Sequence, residues 1–214
     1  MLIRAFYAAS SGEYIPNKRF KQEFDEMAKL ASPYVIEVYR YNAEKEEYIM
    51  EYMDYSLYDY IEKYNVTMEK KRRKNIGLQV LKAFAYINSK KLLHRDISPN
   101  NILIKEYEDS IIVKVSDFGL VKCIHSDLTS IQTEVKGCFN DPSLFVDGFS
   151  NYTLQHEIYA LTKLLCYVIT GKINLDKVDN LKIKAFINKG MNADKSRRFE
   201  NLDVLRESFL DLFV

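Results

Sequence analysis

The segment LLHRDISPNNIL (92–103) sets an acid, Asp96, ahead of an amide, Asn101, and the chain later reaches a second acid, Asp117, in SDFG. A carboxylate such as Asp96 can orient an attacking hydroxyl and accept its proton. Asn101 offers an amide oxygen and Asp117 a carboxylate, and hard divalent cations favour such oxygen donors. If a hairpin lies between them, the chain returns Asp117 beside Asn101, and Gly119 permits a sharp turn after it. A base next to a metal site that can bridge phosphate oxygens is equipment for phosphoryl transfer.

Those three residues need a frame, and the hydrophobic pattern supplies one. Residues 1–8 alternate weakly, as a strand does, and SGEYIP reads as a loop. From Asn17 to Ala31, Phe20, Phe24, Met27, Ala28 and Leu30/Ala31 recur at helical spacing, with Pro16 just ahead. Ser32-Pro33 should end that helix, because the residue before proline is pushed out of the α region. YVIEVYRY (34–41) and EYIMEYM (47–53) read as strands joined by the polar turn NAEKE. SLYDYIEKY then reads as a short helix. Thr67 is the expected N-cap of a long one reaching about Asn88, with Ile76, Val80, Leu81, Phe84 and Ile87 on one face. ILIK and IIVKV around EYEDS predict the hairpin, over 102–115. Residues 120–153 look irregular, and helices run from there to the C-terminus.

The composition agrees with a compact protein. Of 214 residues, 47% are hydrophobic and 29% charged, and the net charge of +1 shows no nucleic-acid footprint. Cys123, Cys138 and Cys166 are far apart and odd in number, which fits a reducing compartment better than a disulfide framework. The N-terminus becomes polar too soon for a signal peptide. The apolar run at 158–170 is shorter than the roughly 20 residues a membrane span needs, so it should be a buried core helix. The expected location is the cytoplasm, with no membrane and no nucleic-acid partner. The basic run KKRRK (70–74) and the many tyrosines between 34 and 64 are expected to be a solvated helix face and packing, respectively.

HRDISPNN and DFG, together and across a hairpin, resemble the signatures of eukaryotic-type Ser/Thr protein kinases. The resemblance covers nearly the whole chain and implies an α+β, protein-kinase-like fold. It implies a partial β-rich small lobe over 1–53 and a helical large lobe over 54–214. RFKQEFDEMAKLASPYVIEVY resembles the family's C-helix and following strand, so Glu23 is expected to pair with the family's nucleotide-binding Lys. YIMEYMD resembles the hinge: Met50 would be the gatekeeper, and the backbones of Glu51 and Met53 would meet adenine. GCFNDPSLFVDG resembles the end of the activation segment, HEIYALTKLLCYVITG the central buried helix, and DKSRRF the turn carrying a structural Arg, Arg198. Met27, Val38, His94 and Phe118 map to the family's apolar spine, so His94 is structural. Arg95 maps to the phosphate-sensing Arg, with Thr129, Ser130 and Thr133 as candidate acceptors.

The sequence also departs from that family. It contains no G-x-G-x-x-G loop, and counting back from Glu23 by the usual separation reaches Arg4 where a Lys is expected. A planar guanidinium fits a narrow phosphate site differently from a compact ammonium. The chain is therefore expected to start at the family's third strand. Ser98 replaces a phosphate-contacting Lys, Asp141-Pro142-Ser143 replaces A-P-E, and Glu157 replaces the Asp that braces the catalytic loop. The resemblance implies transfer of the ATP γ-phosphate to a protein Ser/Thr hydroxyl, with ATP and Mg²⁺ required. Asp96 would be the base, and Asn101 and Asp117 the metal ligands. Two alternatives stay open: a pseudokinase or kinase fragment acting as a binding module, and a small-molecule phosphotransferase of the kinase-like superfamily.

Overall fold

The computed structural model describes residues 2–5, 16–45, 47–118, 122–123 and 139–214; side chains are described from Lys21 onward, except those of Gln22, Lys122 and Cys123. Near the N-terminus β1 (Leu2–Ala5), β2 (Val38–Asn42) and β3 (Glu47–Met50) form an antiparallel sheet in the order β1-β3-β2. β3 alternates as a half-covered strand should, with Tyr48 and Met50 buried and Glu47 and Ile49 partly exposed. A register shift between Val38 and Arg40 marks a bulge in β2, where Tyr39 is turned outward.

α1 (Pro16–Ala28) precedes β2, with proline at its first position, where a missing N–H costs nothing. It ends three residues before the predicted Ala31. The Ala31 amide donates to the Tyr86 hydroxyl at 2.9 Å instead of continuing the helix, so the chain has left the helix before Pro33. The predicted strand 34–41 is also divided. Its first residues pair with Val115: Val115 N–H donates to Tyr34 O and Ile36 N–H donates to Val115 O, both at 2.9 Å. Its second half is β2. One segment thus ties the small sheet to the strand that leads into Asp117.

β4 (Tyr55–Ser56) pairs with β6 (Ile102–Glu106), and β6 with β7 (Ile111–Val115), in the predicted hairpin. Tyr107 N–H donates to Ser110 O at 2.8 Å and closes the turn. α2 (Leu57–Tyr64) is capped by Ser56, whose hydroxyl accepts the Asp59 N–H. α3 (Lys70–Ser89) begins two residues later than a Thr67 cap requires. The Thr67 and Met68 amides are used by Tyr64 O to close α2, so Glu69 becomes the N-cap. α3 buries the predicted apolar face against β7, and Gln79 joins the strand directly, donating to Ile111 O at 3.0 Å and accepting from Val113 N–H at 2.9 Å.

The basic run at 70–74 does not form a uniform solvated face. Lys70 and Lys71 are exposed, but Arg73 is buried and donates to Val168 O at 2.7 Å and Asn65 O at 2.6 Å. Its guanidinium satisfies carbonyls at two turns that would otherwise be left unpaired.

A two-stranded sheet pairs β5 (Leu92–Leu93) with β8 (Lys122–Cys123). Beyond it lie α4 (Leu144–Asp147), α5 (Leu154–Thr170), α6 (Leu181–Gly190) and α7 (Leu202–Leu210). α5 is the predicted core helix, with Ile158, Leu161, Leu164, Leu165, Cys166 and Val168 all fully buried. Gly77 on α3 lets α7 approach closely, since a Cβ there would stand 2.2 Å from the Phe209 ring. Among the described residues no helix is long and apolar enough to cross a membrane.

Candidate active site

Asp96 and Asn101 lie between β5 and β6, and their loop is held mainly by hydrogen bonds rather than by regular structure. Asn101 Nδ2 donates to Asp96 O at 2.9 Å and to Asp96 Oδ2 at 3.2 Å. Both bonds use the amide nitrogen, so neither draws on the acceptor capacity of Asn101 Oδ1. Asn101 N–H donates to Ser98 O at 3.1 Å, making a tight turn of SPNN. Ser116 N–H donates to Asn101 O at 2.9 Å, and its hydroxyl also reaches that carbonyl at 3.2 Å. Asp117 follows directly, so the hairpin delivers it to the base of the loop as the sequence suggests. Asp96, Asn101 and Asp117 are each only partly buried.

His94 links the two halves of the site. Asp96 N–H donates to His94 Nδ1 at 3.3 Å, which leaves the proton on Nε2 to be donated to Ser116 O at 2.9 Å. The ring is fully buried against Phe118, 4.9 Å between centroids. Burial pushes its pKa below the ordinary value, against the opposing pull of the Ser116 carbonyl and of Asp96 and Asp117. A neutral His94 is therefore a structural joint. Met27 and Phe118 lie in the same buried core, with Val38 half-buried beside it.

Strain is concentrated at this joint. Arg95 and Asp117 have φ of 71° and 65°, in the left-handed region that side chains disfavour. Such conformations persist only where surroundings over-determine them. The Arg95 guanidinium lies over the Phe149 ring at 4.1 Å and donates to Phe149 O at 2.6 Å. Burial lowers its pKa to about 10. Thr129, Ser130 and Thr133, the candidate phosphate acceptors, lie outside the described residues.

The helical part braces the loop from below. α5 starts where Thr153 N–H donates to His156 Nδ1 at 2.9 Å, while the other ring nitrogen meets Asp147 at 3.1 Å. That start places Glu157 in the first turn, 2% exposed, with its oxygens accepting the His94 N–H at 3.0 and 3.3 Å. The extra methylene of Glu relative to Asp still reaches the loop backbone. Burial raises the Glu157 pKa to about 8, opposed by the His94 and Arg95 amides and by the Arg95 charge. Arg198 pairs with Asp141, both side chains nearly inaccessible, so Asp141 supplies the carboxylate missing from the A-P-E position. Arg198 also donates to Gln155 O at 2.9 Å and Asn192 O at 2.7 Å.

On the sheet side Glu23 is buried and accepts a hydrogen bond from the Tyr48 hydroxyl. Arg4 stands opposite Tyr48 in the β1–β3 ladder, but its side chain lies outside the described ones. Met50 is buried on β3, and Met53 is 7% exposed three residues on. Glu51 N–H is committed to Glu37 O at 2.8 Å, and its carboxylate to Lys114 at 2.5 Å. The structure thus places the sequence-predicted residues in two groups, a bonded loop and a sheet with its helix, joined through Tyr34–Ile36 and Val115. Sequence reasoning missed Tyr48, Ser116 and Phe149 as site neighbours. Tyr48 was hidden among many tyrosines, and Ser116 and Phe149 act through backbone carbonyls and amides or a ring face, which leave no motif.

Residues 7–213 match the family model described as protein kinase domain. The chain is 31% identical over 179 residues to the Serine/threonine-protein kinase PrkC of Bacillus subtilis, covering 81% of this chain and 26% of that one. It is 30% identical over 161 residues to the Probable serine/threonine-protein kinase PknB of Lactococcus lactis, covering 74% of this chain and 25% of that one. Wall-associated receptor kinase-like 4 of Arabidopsis thaliana is 33% identical over 144 residues, 65% of this chain and 18% of the relative. The chain thus spans about a quarter or less of the length of these curated relatives. With the family model covering nearly all of it and the Asp96–Asn101 loop in place, the chain belongs to the protein kinase domain family.

Proposed function

We propose that this protein transfers the γ-phosphate of ATP to a Ser or Thr hydroxyl of a protein substrate. The observation that carries this is the direct hydrogen bonding of Asn101 to both the backbone and the carboxylate of Asp96. It fixes a carboxylate at the loop tip and leaves an amide oxygen beside it. Asp96 orients the attacking hydroxyl and takes its proton at the carboxylate oxygen.

Asn101 Oδ1 and the Asp117 carboxylate are the residues that would hold Mg²⁺. They fit it, being hard oxygen donors few enough to leave room for phosphate oxygens and water. An ion held by these two residues would supply positive charge to offset that of the phosphate oxygens. Adenine would lie along 51–53 under the Met50 gatekeeper. Because the Glu51 N–H is spent on Glu37, Glu51 would contribute its carbonyl there and Met53 its backbone. Arg4 would serve the phosphates from the sheet side, and Glu23 would pair with that cation. The two lobes are assigned to 1–53 and 54–214, with the cleft between them. A near-neutral net charge supports a protein substrate over a nucleic acid, and a buried free Cys166 fits the cytoplasm.

The test is phosphate transfer from Mg-ATP to a generic protein substrate by wild type and Asp96→Asn. The variant keeps the loop's shape, so its melting temperature should match wild type while transfer falls about 10²- to 10⁴-fold. Equal incorporation by both proteins would remove Asp96 from the mechanism.

A further inference from the structure

Glu23 is a carboxylate only 6% exposed, and Tyr48 is fully buried. Each polar group is costly in such surroundings without a partner. They answer one another, the Tyr48 hydroxyl donating to Glu23 Oε1. The phenol ring is confined as well. Phe24, the next residue on α1, lies 5.9 Å from it between centroids, and 5.5 Å from Tyr41 on β2. Tyr48 and Met50 share the buried face of β3, and the ladder sets the Arg4 backbone opposite Tyr48. The carboxylate of α1 and the buried face of the middle strand therefore meet at one side chain, on a strand paired along its length with β1. An ionised carboxylate has about four acceptor sites and a phenol fills one. Glu23 can serve Tyr48 and a cation together.

We propose that Tyr48 is a positioning residue for phosphoryl transfer: its hydroxyl holds the Glu23 carboxylate in the orientation that engages the nucleotide-anchoring cation, and so docks α1 on β3 before ATP arrives. The proposal rests on the kinase function proposed above and names a residue outside the family's signature motifs. It distinguishes this chain from one in which the helix carboxylate is held by the cation alone.

Tyr48→Phe removes the hydroxyl and keeps the ring. The KM for Mg-ATP should rise about tenfold, the scale of a lost hydrogen bond to a charged group, while the KM for a generic protein substrate stays the same. Amide hydrogen exchange should accelerate in α1 and stay unchanged in α5. A purely structural role would lower kcat through loss of folded protein and leave both KM values unmoved. Adding Tyr48→Phe to Glu23→Gln should cost much less than it does alone, because the ionised partner is already gone. An unchanged KM for ATP, or strict additivity of the two substitutions, overturns the proposal. If Tyr48→Phe does not fold, Glu23→Gln alone is followed by hydrogen exchange: acceleration confined to α1 supports the docking role, and unchanged α1 exchange overturns it. If wild type transfers no phosphate, the kinase function fails, while Mg-ATP binding and α1 exchange still decide the role of Tyr48.

Discussion

The loop carrying Asp96 and Asn101 and the sheet side, with Arg4 on β1 and Glu23 on α1, are held in different ways. The loop is strained at Arg95, with Asp117 strained at the hairpin's end, and it is fixed by the His94 N–H donated to Glu157 of α5, by the Ser116 N–H donated to Asn101 O and by the Asn101 side-chain amide. Its braces are buried: Glu157 beneath His94, and Arg198 with Asp141 beneath the α4–α5 segment. On the sheet side, among the described residues, Tyr48 ties to Glu23 in the interior and Lys114 pairs with Glu51 in a partly exposed setting. Charges taken fully out of water are strongly felt when one partner is lost, while exposed pairs are screened and weak. Changes on the loop side should therefore abolish folding or chemistry, and changes on the sheet side should tune nucleotide affinity.

The sharpest attempt to break that contrast is Arg198→Ala. It strands the Asp141 carboxylate and two carbonyls in the interior, and should destabilise the protein by about 3–5 kcal/mol in urea unfolding. A loss below about 1 kcal/mol would show that the loop side is no more firmly built than the sheet.

Glu157 gives the next largest effect, through pH. Its folded-state pKa of about 8 lies above the ordinary carboxylate value, so the folded protein holds a proton there that the unfolded chain has already lost. Stability from this group is intact below about pH 4.5 and falls as pH rises toward 8, by on the order of 5 kcal/mol in total and roughly 2 kcal/mol above pH 6.5. His94 has a lowered pKa and acts oppositely, adding stability as pH rises through its ordinary range, so the window above pH 6.5 isolates Glu157. Urea midpoints of wild type should drop between pH 6.5 and 8.5, and Glu157→Gln, which can still accept the His94 N–H, should flatten that drop. A wild-type curve already flat there would place the brace in a wetter setting.

The smallest effect belongs to Lys114→Met. The Lys114 and Glu51 side chains are 13% and 25% exposed, so screening limits the pair to about 1 kcal/mol or less. The KM for ATP should change by less than about threefold in steady-state assays. A change of tenfold or more would make this ion pair, rather than Tyr48, the principal tie on the sheet side.

Much of the site was legible because its chemistry requires residue types at set spacings. Asp96, Asn101 and Asp117 stand out in one sequence, and the alternation in 102–115 already implied the hairpin that brings them together. The apolar period of α3 and the core run of α5 were equally plain. Boundaries were less so, since they depend on what competes for a few amides. The Ala31 amide is taken by Tyr86, 55 residues away, and the Thr67 and Met68 amides by Tyr64, so α1 ends early and α3 starts late. Arg73 read as one more surface charge because nothing local shows that Val168 and Asn65 present carbonyls to it.

The sequence by itself determined the candidate catalytic residues, the α+β class and the departures at Arg4, Asp141 and Glu157. Local spacing and residue chemistry carry that information without knowledge of distant partners. Only the tertiary structure decided whether the departures at Asp141 and Glu157 are defects. Asp141 meets Arg198, Glu157 still reaches the His94 amide, and Tyr48 meets Glu23, across separations of 57, 63 and 25 residues. A buried charge or polar group is tolerable only where its partner is delivered, and delivery is a property of the whole fold.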